Sequence, residues 1–144
     1  MAKCLIIGYG NNLRSDDGIG RRVAEVVSSW HWPEMKSLSL PQLTPEIATN
    51  LAEADVVIFV DACQAVAPGA VESYALQAVD DAHIRSHFSS PQVMLSLTKM
   101  LYGKSPQAWW LVVPGVNFRV GDRLSSVGEQ GVAQALIQIK NLVS

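Results

Sequence analysis

Four side chains hold most of the chemistry this sequence offers. Asp16 and Asp17 stand together at the end of the stretch Gly8-Tyr9-Gly10-Asn11-Asn12-Leu13-Arg14-Ser15. Asp61 follows the apolar run Val56-Val57-Ile58-Phe59-Val60, and His87 lies in Ser86-His87-Phe88-Ser89-Ser90-Pro91. Two carboxylates and an imidazole form a mixed oxygen and nitrogen donor set that suits a borderline divalent ion such as zinc or nickel, with positions left open. A carboxylate can also serve as a general base. Each group has a plainer use. Acids at a helix start satisfy free N–H groups and complement the helix dipole, typically for ~0.3–1 kcal/mol. One acid suffices for that, so Asp16 is read as the cap and Asp17 as the functional candidate. Asp61 has the alternative of a turn residue leaving a sheet. Of the three histidines, His31 sits between Trp30 and Trp32 at a helix end, and His83 lies among acids in a polar stretch. Only His87 directly precedes a helix start that would anchor its backbone.

Other chemistries fit less well. The chain has no H-E-x-x-H helix and no G-x-S-x-G elbow. Cys63 follows Asp61 closely but has no histidine near it in sequence, so it is a poor nucleophile candidate. Gly8-x-Gly10 invites a dinucleotide reading, yet the third glycine of that fingerprint would fall on Leu13. Asp16 and Asp17 would also repel a phosphate from the helix N-terminus that should receive it.

The elements that must position these groups alternate along the chain. Residues 3–8 read as a strand buried on both faces. Asp16 and Asp17 open a helix to about Trp30, with Ile19, Val23, Val26, Val27 and Trp30 on one stripe. A short strand is expected over Met35–Leu40, and Thr44-Pro45-Glu46 reads as a helix start, with that helix ending near Ala54. Residues 55–60 form the strongest strand, ending at Asp61; residues 71–76 form another, at an edge. Residues 80–90 read as loop. Pro91 starts a helix carrying Met94, Leu97 and Leu101, stopped by Gly103. Residues 108–113 are the last strand. Ser126 and Glu129 read as a capping box for a final helix bearing Val132, Leu136, Ile139 and Val143. This alternation predicts an α/β fold, a three-layer α/β/α sandwich with a mostly parallel twisted sheet of about five strands. Right-handed crossovers place the second and third strands on opposite sides of the first. The loops after strands one and three then diverge at a switch-point crevice, and there Asp17 and Asp61 would meet.

Composition narrows the field. The 144 residues suit a single domain spanning residues 1–144, and the 49% apolar content is enough for a core. A net charge of −2 shows no basic excess of the kind nucleic-acid binding needs. No apolar run approaches a membrane span. Cys4 and Cys63 make no disulfide framework. The expectation is a cytoplasmic protein with neither nucleic acid nor membrane as partner.

The motifs resemble those of the hydrogenase maturation endopeptidases. Gly8-Tyr9-Gly10-Asn11-Asn12-Leu13-Arg14-Ser15-Asp16-Asp17-Gly18-Ile19-Gly20 is similar to that family's first signature. Gln42-Leu43-Thr44-Pro45-Glu46, Phe59-Val60-Asp61-Ala62, Ser86-His87 before Pro91, Leu101-Tyr102-Gly103 and Val113-Pro114-Gly115-Val116-Asn117-Phe118 resemble later landmarks in the same order. The resemblance implies a phosphorylase/hydrolase-like three-layer fold. It also implies an enzyme, a protease that removes a C-terminal extension from the precursor of a nickel–iron hydrogenase large subunit after nickel insertion. It assigns Asp17, Asp61 and His87 as catalytic and metal-recognising residues, with nickel supplied by the substrate. Gly8, Gly10 and Asn11 would contact the incoming chain. A monomer is expected. Two other readings stay open at this point: a non-catalytic metal-binding homologue and a Rossmann-like nucleotide-binding module.

Overall fold

A computed structural model describes residues 3–65, 69–78 and 90–143. Strand β1 (Cys4–Tyr9) is buried almost throughout, because aliphatic residues point to both faces of a central strand. It is flanked by β2 (Met35–Leu40) on one side and β3 (Val56–Gln64) on the other, both parallel to it. Beyond β3 lies β5 (Gln107–Gly115), also parallel. The edge strand β4 (Glu72–Leu76) pairs antiparallel with β5, giving the order β2-β1-β3-β5-β4.

Helices cover both faces. Helix α1 (Ile19–Trp30) and the last helix, α4 (Ser126–Val143), lie on one side, where Ile19, Val23, Val27, Val132, Ala135 and Ile139 pack against Ile6, Ile58, Val60 and Leu111. The short α2 (Ala48–Glu53) and α3 (Pro91–Tyr102) cover the other. There Leu51, Val93, Met94 and Leu95 pack against Leu5, Ile7, Val57 and Phe59. This is the three-layer α/β/α arrangement that the alternation of elements predicts.

Several local expectations are corrected. Strand β3 does not end at Asp61. It continues to Gln64 because Asp61 through Gln64 keep pairing with β5 after β1 has turned away. Asp16 and Asp17 do not open the α-helix; they lie in a 3-10 turn (Ser15–Gly18), and α1 starts one residue later. The Thr44 side chain caps nothing, although Pro45 does begin a 3-10 turn that leads into α2. The buried positions of α3 are Pro91, Val93, Met94, Leu95, Ser96 and Thr98, and Leu101 is exposed. The cap of α4 is Ser125, whose Oγ accepts from the Gly128 N–H at 3.0 Å. Ser126 is therefore already helical, and Glu129 pairs with Arg22 instead of closing a box.

Glycine sets how closely α1 approaches the sheet. A Cβ at Gly8 would lie 1.8 Å from the Gly20 carbonyl oxygen, and one at Gly20 would lie 2.4 Å from the Val60 carbonyl oxygen. The helix backbone thus rests directly on β1 and β3, a contact no larger residue permits.

Candidate active site

The last registered pair between β1 and β3 is Gly8 with Val60. One step further, Tyr9 and Asp61 stand side by side, and there the strands part. Alternation along β3 puts Asp61 on the same face as Val57 and Phe59, the face covered by α2 and α3. The Tyr9 hydroxyl donates to Asp61 Oδ2 at 3.1 Å. Burial pushes the Asp61 carboxyl up to about 6. The Tyr9 hydrogen bond and the Ala62 N–H oppose that rise, and the nearby negative charge of Asp17 adds to it. The switch-point crevice thus brings Asp17 and Asp61 close enough to interact, as the topology predicts.

Asp17 reaches the crevice from the 3-10 turn. Its Oδ2 accepts from the Asn11 N–H at 2.7 Å, which folds the glycine loop back on itself. Gly10 has φ +148° and would place a Cβ 2.0 Å from the Asp17 carbonyl oxygen, so only glycine fits. Gly8 and Gly10 therefore face this chain's own backbone, whereas Asn11 is exposed.

Asp16 is fully buried and does not cap α1. It accepts from the N–H groups of Val116 (2.8 Å), Asn117 (3.1 Å) and Ser125 (2.8 Å), and from the Ser125 hydroxyl (2.7 Å). Burial raises its proton affinity, but these donors outweigh that effect and hold the carboxyl below its ordinary value. Gly115 and Gly128 make room for it, since a Cβ on either would collide with Asp16. Asp16 is thus the anchor joining the first loop to the loop between β5 and α4. Ser15 reinforces the joint through bonds to the Arg119 and Gly121 carbonyls.

His83 and His87 lie outside the described residues. His31 is exposed at the C-cap of α1, as expected. Helix α3 joins the upward-running β5 through residues 103–106 only, so it descends along the sheet and its first residue, Pro91, stands toward the strands' carboxyl ends. Among the described residues no three His, Cys, Asp or Glu side chains gather as a metal site would require. Cys63 is only half-buried, but burial and then the charges of Asp61 and Glu72 push its thiol up, which disfavours a thiolate. Motif reading did not anticipate Tyr9 or Ser125. The signal for Tyr9 is a hydroxyl-bearing aromatic at the end of an otherwise aliphatic strand; Ser125 gives none beyond lying next to the residue read as the cap.

A buried sheet whose switch point gathers acids defines the chain as a doubly wound α/β protein with an anionic crevice. Solved structures give that fold a more particular setting. The chain is similar to the [NiFe] hydrogenase maturation protease HybD from Thermococcus kodakarensis, with a TM-score of 0.76 at 19% identity over 99% of both chains. It is also similar to the hydrogenase maturating endopeptidase HybD from E. coli, with 0.75 at 22% identity over 98% of this chain and 91% of that one. The maturation protease HycI from T. kodakarensis KOD1 gives 0.71 at 20% identity over 98% and 92%. No family model and no curated protein sequence matches the chain. The likeness is one of fold, and it extends from end to end.

Proposed function

We propose that the chain is an endopeptidase that removes the C-terminal extension of a nickel–iron hydrogenase large-subunit precursor once nickel is in place. The observation that carries this reading is the pair Asp17 and Asp61 at the switch point, which no cation among the described residues compensates. The only salt bridge among the described residues, Arg22 to Glu129, leaves both acids without a cation. Two neighbouring carboxylates, one of them with its pKa raised by burial, gain from an arriving divalent ion. The full-length fold likeness to maturation proteases supports the same reading.

In this reading the nickel belongs to the substrate. Asp17 and Asp61 offer it oxygen ligands, and His87, four positions before Pro91, offers the nitrogen. The contact forms only with a loaded precursor, so binding energy differs between loaded and empty substrate and acts as a checkpoint. Docking holds the scissile peptide at the crevice, where a carboxylate, Asp17 or Asp61, can accept a proton from the attacking water. A processing assay with nickel-loaded and nickel-free precursor tests this. The expected result is cleavage of the loaded form alone, lost in Asp17→Ala, Asp61→Ala and His87→Ala while circular dichroism shows the fold intact. Equal cleavage of both precursors would reject the checkpoint.

A nucleotide-binding alternative is disfavoured by the loop itself. The N–H groups of Gly10, Asn11, Leu13 and Arg14 are already bonded to Leu40, Asp17 and Asn11 oxygens. A phosphate would find these donors occupied.

A further inference from the structure

One polar contact at the crevice belongs to neither the metal-recognition set nor the loop anchor. Tyr9 is largely buried in the layer that also holds Trp110. Burial, and then the charge of Asp61 and the hydrogen bond to it, push the phenol far above its ordinary value, so it remains protonated at any working pH. A carboxylate can only accept. The Tyr9 hydroxyl therefore directs its proton at Asp61.

We infer that Tyr9 is a positioning residue for Asp61: its hydroxyl ties Oδ2 in place and, with the Ala62 N–H, holds the carboxylate in one orientation at the crevice. No other side chain among the described residues donates to Asp61. A half-buried carboxylate without this tether could rotate about its last bond and offer an ion either oxygen or both. With it, the ligand geometry is set before the substrate arrives, so no ordering remains to be done at the moment of binding. The inference rests on the proposed role of Asp61 and adds what holds it.

The test is Tyr9→Phe, which keeps the ring and removes only the hydroxyl. With nickel-loaded precursor, Tyr9→Phe should lower kcat about tenfold while KM stays within about twofold. In protein carrying 13C-labelled aspartate at pH 8, the Asp61 carboxyl resonance should move in Tyr9→Phe while that of Asp16 stays put. A merely structural tyrosine would not separate those two signals. Wild-type kcat in Tyr9→Phe, or an unmoved Asp61 resonance, would overturn the inference. A wild-type protein that cleaves no loaded precursor counts against the functional reading instead, and the carboxyl resonance still decides whether Tyr9 holds Asp61.

Discussion

Asp61 carries opposing demands. Burial raises its pKa to about 6, so the folded protein binds that proton more tightly than the unfolded chain, whose value is near 3.8. Stability from this group is therefore greatest below about pH 4 and falls as pH rises through 6. At neutral pH the ionised group costs up to about 3 kcal/mol, less whatever water reaching the crevice screens. Asp61→Asn does not titrate and can still accept from Tyr9. It should melt higher than wild type at pH 7–8, with the gain vanishing toward pH 4. Melting curves across that range check it, and a lower melting temperature at pH 8 would show that the carboxylate is not under strain.

Asp16 belongs to the scale of elements, because it makes a single unit of two loops about a hundred positions apart in sequence. Asp16→Ala strands three N–H groups and a hydroxyl in a closed joint and should destabilise the fold by about 3–5 kcal/mol. Because the Asp16 carboxyl is held below its ordinary value, its contribution is present above the unfolded pKa and is lost as pH falls through the folded one. Denaturant unfolding at pH 7 and at pH 3 should therefore show a large gap between wild type and variant that narrows in acid. This joint also marks the limit of what could be read in advance. Met35–Leu40, the apolar run of β3 and the Gly103 stop of α3 were legible because periodicity and punctuation are local signals. The switch-point meeting of Asp17 and Asp61 was legible because handedness restricts topology. The role of Asp16 was not, since its partners come from residues 116–125 and nothing beside it in sequence names them. Likewise, Asp61 lies inside β3 only because β5 continues alongside it.

For the whole molecule, the fold is shared over nearly the full length with proteases of hydrogenase maturation, and no helix among the described residues is long and apolar enough to cross a membrane. The doubly wound sheet is a frame that elsewhere holds nucleotides, so what separates the possibilities is how its first loop is used. Here that loop is closed by its own hydrogen bonds and carries negative charge. Addition of adenine or nicotinamide nucleotides at millimolar concentration should leave the melting temperature unchanged. A stabilisation of several degrees would revive the nucleotide reading.

The clasp around Asp16 has a consequence for the order in which the molecule is made. Synthesis delivers the amino-terminal loop first, yet the donors that fix it arrive with the end of β5 and the start of the final helix. A nascent chain still missing those segments holds an acid with nothing to bind and a crevice with one wall unfastened. The loop bearing Asp17 is therefore fastened only once residues 116–125 have been made and have folded against it.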